Sequence, residues 1–78
     1  MQNTTDRIVE RVQAELQGAR AQARETSAGH FEVEVVWAGF AGKSELDKQR
    51  TVLRAIKSLM AGAQAPVHAI DKLSTSVS

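Results

Sequence analysis

Apolar residues with helical spacing occupy the first part of the chain. Four of them recur at the three- and four-residue intervals that place side chains on one face of an α-helix: Ile8, Val9, Val12 and Leu16. Thr4 or Thr5 can cap the N-terminus of this helix, and Gly18 is a natural stop. The pattern predicts a helix from about residue 5 to about residue 17.

A strict alternation of apolar and polar side chains marks the middle of the chain as a strand. The apolar side chains that this alternation directs toward a core are Phe31, Val33, Val35 and Trp37. His30, Glu32 and Glu34 point to the opposite face. Because a strand needs a partner, we predict that residues 19–25 pair with it in an antiparallel hairpin through a Ser-Ala-Gly turn.

A glycine-punctuated turn precedes a second amphipathic helix. Ser44, followed three positions later by Asp47, resembles a capping box at the start of this helix. The predicted apolar stripe of the helix comprises Leu46, Val52, Leu53, Ile56, Leu59 and Met60. Gly62 ends the helix, and residues 67–70, which follow Pro66, are predicted to form a short last strand.

The predicted order of helix, strand, strand, helix and strand defines an α+β fold, in which two helices pack on one face of a three-stranded sheet. A chain of 78 residues, 42% hydrophobic and 24% charged, has the composition of one soluble globular domain. We predict that residues 1–73 form this domain and that residues 74–78 form a short flexible tail. The net charge of +1 does little to attract nucleic acid or a membrane.

The chain contains no cysteine. This excludes disulfides, a thiol nucleophile and any iron–sulfur cluster held by this chain alone. No apolar run approaches the roughly 20 residues of a transmembrane helix, and the first six residues lack the features of a signal peptide. We therefore expect a cytoplasmic protein without membrane association. No arrangement of catalytic side chains is recognisable, so no enzymatic activity is predicted.

The segment from Gly39 to Gly42 has the G-x-x-G spacing with which KH domains clamp a nucleic-acid backbone. Five cations on or beside the second helix would then contact phosphates: Lys43, Lys48, Arg50, Arg54 and Lys57. The alternative interpretation is a structural turn whose Phe40 is buried, with the basic side chains as the solvated face of the helix.

The two histidines are the candidate metal ligands, because imidazole is the best donor that a chain without cysteine offers to a borderline metal. His68 lies in the predicted last strand and could direct its ring toward a metal held by a partner. The alternative is a histidine hydrogen-bonded at a strand end. His30 lies beside Glu32 and Glu34, which favour its protonated form, and protonation opposes metal binding.

Four segments, taken in order, resemble the BolA family. They are HFEVEVV at residues 30–36, FAGKS at residues 40–44, KQRTV at residues 48–52 and VHAI at residues 67–70. The resemblance extends over about residues 5–73, nearly the whole chain. The KQR form of the third segment is similar to the IbaG-like branch of the family.

The resemblance implies a class II KH-like fold of order αββαβ and no enzymatic activity. Members of this family pair with monothiol glutaredoxins and share a [2Fe-2S] cluster with them in iron–sulfur trafficking and iron homeostasis. Some members also bind DNA as transcriptional regulators of the stress response. The cluster-ligating histidine of the closing V-H-A motif corresponds to His68, and the cysteines of the shared site would come from the glutaredoxin and from glutathione.

Two departures from the family pattern change this expectation. Cluster-binding relatives offer a second ligand, His or Cys, in the loop between the first two strands, whereas residues 26–29 offer none, and His30 is the nearest substitute. We therefore expect a weaker, transfer-type complex. No segment of this sequence resembles the closing helix of the family, so we do not expect contacts of the kind made by that helix. The two hypotheses are a glutaredoxin accessory protein and, alternatively, a nucleic-acid-binding regulator, in either case a monomer or weak homodimer.

Overall fold

The structure is a computed structural model that describes residues 3–77. Its elements, in chain order, are α1 (Thr4–Glu15), β1 (Arg20–Ser27), β2 (His30–Val36), a 3₁₀ helix (Ala38–Phe40), α2 (Glu45–Ala55), α3 (Lys57–Met60) and β3 (Ala69–Ser76). The three strands form one sheet in the order β1-β2-β3, with β1 antiparallel and β3 parallel to β2. This architecture confirms the predicted α+β fold.

The first helix follows the predicted pattern, with a different cap. Ile8 and Val12 are fully buried on its inner face. The Asp6 backbone N–H donates to Oδ1 of Asn3 at 2.8 Å, which makes Asn3 the N-cap. The prediction of Thr4 or Thr5 as the cap is therefore wrong. Asn ranks above Thr as a cap, and helix ends are set by this local hydrogen bond.

The hairpin forms as predicted, because the backbone N–H and C=O groups of β2 require a partner strand. Ala23 pairs with Val33 in the antiparallel register, and the segment predicted at residues 19–25 forms strand β1. Phe31, Val33 and Val35 are buried, as the alternation predicts. Trp37 lies just beyond β2 and only partly joins the core.

The second helical segment differs from its predicted stripe. Leu46 and Leu53 are 55% and 38% exposed, respectively, so their prediction as core residues is wrong. The buried side chains are Val52, Ala55, Ile56 and Leu59. Leu53 follows the buried Val52 by one residue, which turns its side chain by about 100° around the helix and away from the buried face. The predicted single helix is also divided into α2 and α3 at Ile56.

The last strand is longer than the sequence pattern indicates. The predicted strand at residues 67–70 is instead β3, which runs from Ala69 to Ser76. The prediction of a flexible tail from residue 74 is therefore wrong for residues 74–76, and residue 78 lies outside the described residues. Pairing with β2 extends the strand, since Leu73 lies beside Val33 and Thr75 beside Val35.

The core lies between the helices and one face of the sheet. Its largest fully buried side chains are Phe31 and Phe40. The other face of the sheet carries polar side chains that line a shallow cavity together with Ala23 and Val33: Gln22, Arg24, Glu32, Glu34, Lys72 and Ser74. The prediction that helices cover one face is confirmed. None of the helices in residues 3–77 is long and apolar enough to cross a membrane.

Candidate functional site

The backbone of His68 is anchored to the turn between β1 and β2. Its N–H donates to the carbonyl oxygen of Gly29 at 2.8 Å, and the N–H of Ala69 donates to the same oxygen at 3.1 Å. His68 lies one residue before β3, not within it, so its predicted placement in the last strand is corrected by one position. Its position in space is nevertheless well defined, because two hydrogen bonds hold the chain there.

The side chain of His68 is exposed and packs against Gly29. Gly29 has a positive φ of 78°, and a Cβ atom built on it would lie 2.8 Å from Cγ of His68. Among residues 3–77, no side chain or backbone group forms a hydrogen bond or ion pair with this ring. The hydrogen bonds of His68 therefore belong to its backbone, and its ring nitrogens remain available to an external partner.

On one side of the His68 ring, the described residues form a surface without a carboxylate. A shallow cavity beside the ring is lined by Met60, Gly62, Ala63, Ala65, Val67 and His68. Thiolate-ligated iron–sulfur clusters carry negative charge, and a nearby carboxylate would repel them. The lining of this cavity raises no such electrostatic barrier.

His30 has a different environment from the predicted one. Its Nδ1 lies 3.0 Å from Oδ1 of Asp71, and the other carboxylate oxygen, Oδ2, accepts a hydrogen bond from the Thr26 hydroxyl at 3.3 Å. Asp71 reaches this position because it is the extra residue at an irregularity in the pairing of β2 with β3. Glu32, a predicted neighbour of His30, is instead paired with Arg24. One nitrogen of His30 is therefore engaged within the chain.

The hydrogen bond from His30 lowers the pKa of Asp71 below its ordinary value, and the Thr26 hydroxyl contributes in the same direction. A lowered carboxyl pKa stabilises the fold above the unfolded-state pKa, and this contribution is lost as the pH falls through the folded-state value. We expect Asp71→Asn to cost stability near neutral pH and progressively less from about pH 5 to about pH 3. Urea unfolding of both proteins across this range measures the difference, and a gap that widens toward acid would contradict the prediction.

The G-x-x-G segment forms a packed turn. Phe40 is fully buried and meets the Trp37 ring edge-on, with 5.2 Å between the ring centroids. A Cβ atom on Gly39 would overlap the Trp37 ring. Gly42 has a positive φ of 80° and no atom near its missing side chain. The burial of Phe40 that the structural-turn interpretation predicted is confirmed.

The predicted cations separate into two groups. Four are exposed and form no side-chain hydrogen bond or ion pair among the described residues: Lys43, Arg50, Arg54 and Lys57. Lys48 differs, because its side chain is only 14% exposed and its Nζ lies 3.2 Å from Oε1 of Glu45. Its prediction as part of the outer basic surface is therefore wrong, since it folds back toward the start of its own helix.

The side chains that could donate to a metal determine whether a [2Fe-2S] cluster fits this chain. Within residues 3–77, no three His, Cys, Asp or Glu side chains lie together as a metal site. A [2Fe-2S] cluster needs four protein or thiol ligands, and this chain has no cysteine. A cluster therefore fits these residues only as a shared site, for which His68 offers an exposed ring without an internal hydrogen bond among the described residues.

Gly29 and Asp71 were missed as neighbours of the two histidines. Glycine in the hairpin turn was a recognisable signal, but it indicated only the turn itself. The parallel pairing of β3 with β2 brings residue 68 to residue 29 and residue 71 to residue 30. No local pattern in the sequence encodes that pairing.

The fold is that of solved BolA structures. BolA1 from Arabidopsis thaliana superposes with a TM-score of 0.81 at 20% identity, covering 99% of this chain and 94% of that chain. A bolA protein homologue from Coxiella burnetii has a TM-score of 0.77 at 31% identity, covering 97% and 92%, respectively. The BolA domain of SufE1 from Arabidopsis thaliana has a TM-score of 0.79 at 20% identity, covering 99% and 94%.

Sequence similarity agrees with the structural likeness. The family described as BolA-like protein matches residues 6–76. The chain therefore belongs to the BolA-like family, as its sequence segments predicted. No curated protein matches the chain. Its assignment to the IbaG-like branch stays a prediction.

Proposed function

We propose that this protein is a non-enzymatic accessory protein that pairs with a monothiol glutaredoxin and helps to ligate or transfer a shared [2Fe-2S] cluster in iron–sulfur and iron homeostasis. The observation that carries the proposal is the exposed ring of His68, which has no hydrogen-bond partner within residues 3–77, while its backbone is held by Gly29. Membership of the BolA-like family is compatible with an iron–sulfur role.

In this proposal His68 contributes one neutral nitrogen donor, and thiolates from the glutaredoxin and glutathione complete the site. The bound cluster supplies one-electron redox chemistry, and imidazole in place of thiolate raises its reduction potential. His30 is a weaker candidate for a second ligand, because its Nδ1 is already paired with Asp71. A single ligand from this chain favours a complex that releases its cluster readily.

The test mixes the purified protein with a monothiol glutaredoxin that carries a [2Fe-2S] cluster. Ligand exchange at the cluster changes its visible circular dichroism, so we expect the spectrum to change with the wild-type protein. The variant His68→Ala is expected to abolish that change, because it removes the donor atom. If His68→Ala produces the wild-type change in the spectrum, His68 has no role as a ligand.

The matched control is His30→Ala, which also removes an imidazole but leaves His68 intact. We expect it to retain the spectral change. Far-ultraviolet circular dichroism of both variants establishes that they are folded. If both variants lose the spectral change, His30 also contributes to the shared site.

The alternative function, a KH-like regulator that binds DNA, has less support. The interior of its G-x-x-G segment is occupied by Phe40, a core residue, and Gly39 is covered by the Trp37 ring. The four exposed cations Lys43, Arg50, Arg54 and Lys57 remain as possible phosphate contacts. DNA binding, the cytoplasmic location and the monomeric or weakly dimeric state stay predictions.

A further inference from the structure

We propose that Gly29 is a positioning residue that seats the imidazole of His68 and sets the direction in which it is presented. This inference rests on the proposed function, since it concerns how the His68 donor is oriented. Residues 26–29, the end of β1 and the turn that follows it, contribute no metal ligand of their own. Because Gly29 has no side chain, the turn leaves a space in which the imidazole ring of His68 packs.

The contact between the two residues is closer than any side chain at position 29 allows. A Cβ atom on Gly29 would lie 2.8 Å from Cγ, 3.0 Å from Nδ1 and 3.1 Å from Cδ2 of His68. These three similar distances indicate that the ring lies across the position of the missing Cβ atom. Every other L-residue would displace either the ring or the turn.

The turn cannot easily move away from the ring. The Gly29 carbonyl accepts two backbone hydrogen bonds from the chain at His68, and the Gly29 N–H donates to Oε2 of Glu25 at 3.1 Å. The neighbouring residue is also held, because the Thr26 hydroxyl donates to the His30 carbonyl at 3.2 Å. A methyl group on Gly29 would therefore be accommodated mainly by rotation of the exposed His68 side chain.

Restricting the ring before the partner arrives favours ligation. An exposed histidine otherwise samples several rotamers. Metal binding restricts the side chain to one of them, and this loss of conformational entropy weakens binding. Residues that orient a metal ligand typically change metal affinity by about 10–100-fold when they are mutated. Gly29 restricts the rotamers of His68 by close packing, with no hydrogen bond to either ring nitrogen.

The test compares Gly29→Ala with the matched control Gly18→Ala. Both glycines have positive φ, 78° and 85°, but a Cβ atom on Gly18 meets nothing within 4 Å. The two variants therefore share the backbone strain and differ in the contact with His68. We expect Gly29→Ala to raise about 10-fold the protein concentration that half-saturates the circular dichroism change with cluster-loaded glutaredoxin. Gly18→Ala should leave this concentration unchanged.

A second measurement uses the wild-type protein alone and holds even if Gly29→Ala fails to fold. Nuclear Overhauser effects between the Gly29 Hα protons and the His68 ring are expected, together with side-chain couplings typical of one χ1 rotamer. Absence of these effects, or couplings averaged over several rotamers, would overturn the proposal.

The outcomes separate the two proposals. If His68→Ala leaves the cluster spectrum unchanged from that of the wild-type complex, the ligand function fails, whatever Gly29 does. If His68→Ala abolishes the spectral change but Gly29→Ala behaves like Gly18→Ala, the ligand function stands and the positioning role of Gly29 fails.

Discussion

The variant Phe40→Ala is expected to lose about 3–5 kcal/mol of unfolding free energy, the usual cost of removing a buried phenylalanine. Phe40 is fully buried and packs edge-on against Trp37 within the turn that leads to α2. Small domains have total stabilities of the same order. A substantial fraction of the variant should therefore be unfolded at room temperature. Urea titration followed by far-ultraviolet circular dichroism measures the change.

The matched control is Leu46→Ala, which removes an apolar side chain from the surface of α2. Leu46 is 55% exposed, and alanine has the higher helix propensity, so we expect a change within about 0.5 kcal/mol. A loss from Leu46→Ala as large as that from Phe40→Ala would contradict the buried face assigned to this helix. It would instead favour the apolar stripe that the sequence pattern predicted.

The variant Gly39→Ala is expected to displace the Trp37 ring and to cost about 1–3 kcal/mol. The added methyl would overlap the indole, which is fixed from two sides. The indole N–H of Trp37 donates to the Gln17 carbonyl at 2.9 Å, and the indole ring contacts Phe40. Trp37 is the single tryptophan of the chain, so its fluorescence reports directly on this displacement. We expect a change in the emission maximum of the folded variant, together with a lower urea midpoint.

The control for this prediction is Gly42→Ala. Gly42 has a positive φ but open space around its Cα, so alanine there should cost about 1 kcal/mol through backbone strain alone. The tryptophan emission of the folded variant should equal that of the wild-type protein. If both glycine variants shift the emission equally, the close approach of Trp37 to Gly39 is not what restricts residue 39.

These two experiments also bear on the alternative function. A G-x-x-G loop that clamps a nucleic-acid backbone needs backbone groups that a ligand can approach. Here Phe40 points into the core, and the indole of Trp37 covers Gly39. The glycines of this turn have local structural reasons for their presence, a close aromatic contact at Gly39 and a positive φ at Gly42. Their spacing alone therefore does not require a nucleic-acid ligand.

The sequence predictions were more accurate for features set by neighbouring residues than for features set by contacts between distant segments. The alternation from Phe31 to Val35 predicted the buried face of β2, because side-chain direction along a strand depends on neighbouring residues only. The stripe of α2 was predicted less well, since Leu46 and Leu53 are exposed and Ala55 is buried. Residue type alone does not reveal which part of a helix surface meets the sheet.

The candidate site shows the same difference between features that depend on local sequence and features that depend on distant segments. The family resemblance of the V-H-A segment and the absence of cysteine were sufficient to propose His68 as the candidate donor. The partners of the two histidines were not predictable, because Gly29 and His68 are separated by 39 positions and His30 and Asp71 by 41. The strand β3 joins these residues by pairing in parallel with β2. Its closing Ser-Thr-Ser run has no alternation of apolar and polar residues, so the sequence pattern did not reveal that residues 74–76 belong to the sheet.

The sequence by itself determined the order of the main helices and strands and the family, and it selected His68 as the candidate donor, because these depend on residue types and their spacing. Tertiary structure alone decided that His68 packs on Gly29, that His30 is paired with Asp71 and that β3 extends to Ser76. The physical reason is that each of these features requires two distant segments to meet in one register. That register follows from the packing of the whole sheet against its helices.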